Sequence, residues 1–110
     1  MALGFLAQAT PAATTSTLLY TSPANTKGMV QVIVTNRDAG IGAFRVSIGV
    51  DGEALADKQY IAYDLPIEGH DSIASVPFSL NSTDVVRVYS DSGLISFALV
   101  ALPDTTYGGF

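Results

Sequence analysis

The chain has 110 residues, one domain's worth, of which 48% are apolar and only 14% charged. A domain of this size removes about two-thirds of its unfolded surface from water, so a packed core is feasible and intrinsic disorder is not expected. Ten acidic against five basic residues give a net charge of −5, which argues against phosphate-backbone binding, since that needs clustered Lys and Arg. The absence of Cys excludes disulfides, thiolate nucleophiles and Cys-bearing metal sites and leaves the redox compartment open.

Residues 1–14 carry no charge and no strand alternation, and are expected to form an extended N-terminal arm. Ala7-Gln8-Ala9 mimics a signal-peptidase site, but Gly4 breaks the apolar stretch and no Lys or Arg precedes Lys27. A secretory signal needs a basic start and a longer apolar run. The longest uninterrupted apolar run, Phe97 to Leu102, is far short of the ~20 residues of a membrane helix. The expectation is a soluble, unprocessed chain with no membrane partner.

From Thr17 onward the period is two, the signature of strands with one buried face. Thr17 to Thr21 is a first β-prone stretch. Val30, Val32 and Val34 form an inward row opposed by Met29, Gln31, Ile33 and Thr35, a strand apolar on both faces that should lie centrally. Phe44, Val46, Ile48 and Val50 form the next row, opposed by Ala43, Arg45, Ser47 and Gly49. Glu53 to Asp57 is the one helical candidate, about one turn. Gln59 to Asp64 is rich in Tyr and Ile. Ala74, Val76, Phe78 and Leu80 make a further row whose Pro77 demands an edge or a bulge, because proline cannot donate to a ladder. Val86 and Val88 alternate with Val85, Arg87 and Tyr89, and Ile95, Phe97 and Leu99 with Leu94, Ser96, Ala98 and Val100. Asp91-Ser92-Gly93 between these two runs reads as a hairpin turn that pairs them.

Seven candidate strands separated by short turns predict an all-β fold. The expected domain is a single antiparallel β-sandwich, jelly-roll or Ig-like, of about seven to eight strands over residues 15–102, preceded by the arm and followed by a C-terminal tail, 103–110. Fewer charges than a free monomer uses to stay soluble imply that part of the surface is covered by a partner.

Chemistry-bearing residues are few. His70 is the single imidazole; with Asp64, Asp71 and any of the serines a triad can be sketched, but no G-x-S-x-G elbow supports it, and His70 reads as a turn residue. No enzyme is expected, and no catalytic or cofactor-binding residue is assigned. Asp51, Glu53 and Asp57 lack the alternating ligands of a calcium loop and read as a solvated acidic loop, so no metal is expected. Gly40-Ile41-Gly42 lacks the Lys and helix of a phosphate cradle and reads as a hairpin turn. Asn81-Ser82-Thr83 matches a glycosylation sequon but reads as a turn. Tyr60, Tyr63 and Tyr89 suggest an aromatic platform, although alternation sets Tyr60 and Tyr63 on opposite faces.

The segments LLYTSPANTKGMVQVIVTNRDAG, KQYIAYDLPI, TDVVRVYSDSG and LISFALVAL, spanning about residues 15 to 100, resemble a group of small structural proteins of tailed bacteriophages, the capsid cement or decoration proteins, with similar modules on tail and fibre components. The resemblance implies a non-enzymatic β-sandwich made in the host cytoplasm that binds the exterior of the virion's capsid and supports it. Its implied partners are the major capsid protein and further copies of itself, as a dimer or trimer, with no nucleic acid. The alternative is a receptor- or carbohydrate-binding module of a tail or fibre. The resemblance carries no catalytic residues over. On physical grounds the contacts to shell or neighbouring subunit are assigned to Leu3, Phe5, Leu6, Tyr107 and Phe110, apolar residues in the uncharged terminal segments.

Overall fold

The computed structural model describes residues 4–102. Among these residues are nine strands: β1 (Gly4–Ala9), β2 (Thr17–Thr21), β3 (Gly28–Asn36), β4 (Gly42–Gly49), β5 (Tyr60–Ile67), β6 (Ser72–Ala74), β7 (Phe78–Leu80), β8 (Val85–Ser90) and β9 (Ile95–Leu102). They form two antiparallel sheets, β1-β9-β3-β6 with β7 also on β3, and β2-β8-β4-β5. Because β6 and β7 pair with opposite ends of β3, they share one place in the first sheet, and the nine strands fill eight positions. The chain changes sheet at almost every connection; only β4 to β5 and β6 to β7 stay within one sheet. This winding is a jelly roll. An Ig-like order is excluded, since it keeps the last two strands in one sheet.

The buried rows explain the closure. Val30, Val32 and Val34 of β3 and Ile95, Phe97 and Leu99 of β9 face Phe44 and Val46 of β4 and Val86 and Val88 of β8, all at most 3% exposed. Phe44 and Phe97 meet edge-to-face across the two sheets, ring centroids 6.1 Å apart, the arrangement favoured by the aromatic quadrupole. β3, predicted to be central, lies between β9 and the β6/β7 position.

Six local expectations are corrected. β8 and β9 do not pair; the Asp91 turn carries the chain from one sheet to the other, anchored by Asp91 N–H on Ala43 O and Ala43 N–H on Asp91 Oδ1, both 3.1 Å. Each strand offers one complete apolar row, and the rows close on each other across the core, which places the strands in opposite sheets. The Gly40 to Gly42 segment likewise bridges the sheets between β3 and β4.

The predicted arm contains β1, an edge strand paired with β9. Its alternation was hidden by a bulge at Leu6: Phe5 opposes Val100 and Ala7 opposes Leu99, so one extra residue switches the parity. Pro77 does interrupt an edge, as predicted, but the break also switches parity. Ile73 of β6 opposes buried Val34 and points inward, whereas Ala74 opposes Ile33 and points outward; Val76 is 79% exposed. In β4 the predicted row holds through Ile48, which opposes Val86 and packs on the core, but the strand ends at Gly49 and leaves Val50 exposed in a short 3-10 turn. Residues 53–56 are not helical; single 3-10 turns at Val50–Gly52 and Asp57–Gln59 flank them.

Buried polar groups fasten the turns. The Asn36 side-chain amide donates to Gly40 O, Ile67 O and Glu68 O and its oxygen accepts from Asp38 N–H, at 2.9 to 3.3 Å. Asp84, 5% exposed, accepts from Asp51 N–H and Asn81 N–H, which makes the Asn81 to Asp84 segment the turn the sequence predicted. At Gly69 a Cβ would lie 2.0 Å from Ala39 O, so only glycine lets the two loop backbones pass while His70 N–H bonds Asp38 O.

Candidate functional site: the outer faces of the two sheets

Apart from an apolar cleft at one edge, the interior of the sandwich is filled, so the exposed polar chemistry lies on the outer faces. On the first sheet, cross-strand register defines four outward rows: Leu102–Met29–Ser79, Phe5–Val100–Gln31, Gln8–Ala98–Ile33–Ala74 and Ser96–Thr35–Ser72. None of these residues is charged. Hydroxyls and amides are fastened along the surface, with Thr35 and Ser72 hydroxyls 3.1 Å apart and Gln31 Nε2 donating to Ser75 O at 2.8 Å. Arg37 closes one end, its guanidinium donating to Ser96 Oγ and Gly93 O. Toward the β1 edge the face sinks into a trough of about 600 Å³ bordered by Phe5, Gln8, Ile33 and Ala98.

Of the predicted contact residues, Phe5 belongs to this face and is 65% exposed. Leu6 instead packs against the core, because the bulge turns it inward. Leu3, Tyr107 and Phe110 lie outside the described residues.

The outer face of the second sheet is built differently. Arg45 of β4 opposes Tyr89 of β8, and its guanidinium carbon lies 4.2 Å from the ring centroids of both Tyr63 and Tyr89. Arg45 Nε and one terminal nitrogen donate to the two carboxylate oxygens of Asp64 at 2.7 and 3.3 Å. A bulge makes this possible: Phe44 opposes Leu65 and Val46 opposes Ala62, so two β5 residues, Tyr63 and Asp64, face the single Arg45, and Asp64 adopts a left-handed φ of 50°. A second register shift at Ile61 brings Tyr60 and Tyr63 together, centroids 4.9 Å apart, overturning the expectation that alternation separates them. The hydrogen bond from Arg45 holds the Asp64 carboxyl below the usual carboxylate range, and that carboxylate raises Arg45 above the usual guanidinium value. The cluster packs the Arg45 guanidinium between tyrosine rings, with Tyr60 edge-on to Tyr63 and Tyr63 55% exposed. Sequence reasoning found its tyrosines but missed Arg45 and Asp64; the signal was an Asp two residues before a proline inside a β-prone run.

The groups weighed for catalysis are spread apart in their roles. His70 is exposed in its turn with a left-handed φ of 56°. Asp64 is engaged by Arg45, and Asp71 Oδ1 accepts from Ser72 N–H. Of the acidic loop, Asp51 accepts from the Thr83 hydroxyl and Glu53 pairs with Lys58 at 3.0 Å. Among the described residues no three His, Asp or Glu side chains group to hold a metal ion, and no helix is long and apolar enough to cross a membrane.

Comparison with models of known protein families, with curated proteins and with solved structures finds no match.

Proposed function

We propose that this chain is a structural virion protein, a capsid cement or decoration protein, that docks on the exterior of a phage capsid through the outer face of the first sheet. The observation that carries this reading is the run of four uncharged rows across β1, β9, β3 and β6/β7. Covering such a face strands no charge away from water, and hydroxyl and amide groups within it can bond a partner's backbone. Phe5 supplies an anchor whose burial contributes roughly 1.5 to 3 kcal/mol. The jelly-roll winding is an architecture that capsid proteins also use, and the low charge of the chain suits a subunit that works assembled. The partner is the major capsid protein, and the role is mechanical, without a catalytic residue or cofactor. Quantitative mass spectrometry of purified virions tests it: the chain should be about as abundant as the major shell protein.

A second reading, a receptor- or carbohydrate-binding module of a tail or fibre, is favoured by the Tyr60, Tyr63 and Tyr89 cluster around Arg45, because rigid tyrosines lose little entropy on binding. A handful of copies per virion, with glycan binding lost in Tyr63→Ala, would establish it in place of the first.

A further inference from the structure

Between the two sheets, where the β5 edge faces the β6–β7 break, the core opens into an apolar cleft of about 230 Å³. Val32, Phe44 and Val46 form its floor and Ile61, Leu65 and Val76 its rim. The rim residues are 48%, 44% and 79% exposed, the last the most exposed large apolar side chain among the described residues. Only Ser75 among the lining residues is polar, and it is satisfied internally: its oxygen accepts from Val32 N–H and its hydroxyl donates to Val76 O.

We infer that this cleft is a two-fold contact between two copies of the chain, each inserting its Val76 into the cleft of the other. Three observations choose that occupant. The knob and the hole lie side by side on one edge, and a two-fold axis at such an edge makes both contacts at once, residue i to j and j to i. No charged residue lines the cleft, so two copies that each carry a net charge of −5 can meet here without placing like charges together, whereas a cationic partner finds nothing to pair with. Strand addition is blocked on both edges, by Pro66 and the bulged, left-handed Asp64 on β5 and by Pro77 after β6. Association at this edge therefore proceeds through side chains. The contact shares only Ala74, at the end of one row, with the outer face of the first sheet and leaves the rest of that face open to shell docking.

Sedimentation velocity of the purified full chain over a concentration series tests it, together with single-cysteine cross-linking in a chain that has no other Cys. The wild type should show a monomer–dimer equilibrium, and Val76→Asp, at an exposed position that folding does not depend on, should raise the dimer dissociation constant at least tenfold at unchanged melting temperature. Oxidising a mixture of V76C chains with I61C chains should give the mixed dimer in excess over either symmetric one. A monomeric wild type, a trimer, a dimer indifferent to V76D, or no excess of the mixed cross-link would each overturn the inference.

Discussion

The outer faces of the two sheets make opposite use of the same strand pairing. On the second sheet, Arg45 is enclosed by Tyr63 and Tyr89 and neutralised by Asp64, so the charges of that cluster are partnered within the chain. On the first sheet, four rows present Phe5, Ile33, Ala98 and Val100 among hydroxyls and amides, without a charge. A solvated face ordinarily mixes charges of both signs. The contrast teaches that the fold, which requires only the inner rows, leaves each outer face free to be specialised, one around an internally paired charge and the other as an uncharged surface, the one the proposed function gives to a partner.

The largest expected effect removes the floor beneath both faces. Phe97→Ala empties a site that is 1% exposed and in contact with Phe44, and should cost about 3 to 5 kcal/mol, a large fraction of the roughly 5 to 15 kcal/mol available to a small domain. Chemical denaturation would show this as a greatly lowered midpoint. A midpoint close to wild type would mean that the two sheets do not share one core.

Next in size is removal of the strand that borders the neutral face. Deleting residues 2–9 strips β1 from β9 and removes Leu6 and Ala7 from the core, so thermal stability should fall by several degrees and β9 should become a bare edge prone to association. A free arm would leave the melting temperature unchanged.

Much of this architecture was legible in the sequence, and the failures share one cause. Strand positions and the central place of β3 follow from period-two rows that run unbroken. Where a single residue is inserted, at Leu6, at Ile61, between Tyr63 and Asp64, and at the Ser75 to Pro77 break, alternation changes phase and inferences beyond that point invert. Sheet membership failed for a different reason: Asp91-Ser92-Gly93 signals a reversal of direction, which serves a hairpin and a sheet-crossing turn equally. The Arg45 cluster was hidden because it depends on a bulge and on a left-handed Asp64, neither of which alternation encodes.

A smaller effect isolates the completed face. Because the folded-state pKa of Asp64 is lowered by Arg45, the stabilisation from this pair is fully present above the ordinary carboxylate value, about 3.9, and is lost as pH falls through the still lower folded value. The near-ultraviolet circular dichroism of the tyrosines should stay constant from about pH 8 to 5 and change below about pH 4. Asp64→Asn should abolish that acid transition. A transition that survives in D64N would assign it to another carboxylate and detach Asp64 from the order of the stack.

The most direct measurement of the division between the faces is co-sedimentation of the protein with capsid shells stripped of it, comparing wild type with Phe5→Glu and Ala98→Glu on the neutral face and Leu18→Glu on the opposite one, each first shown to melt cooperatively. Phe5 and Leu18 are both more than half exposed, so these two charges are tolerated by the fold. Docking through the first sheet predicts that F5E and A98E lose shell occupancy at least tenfold while L18E binds like wild type. Full occupancy by F5E and A98E, or loss confined to L18E, would contradict it.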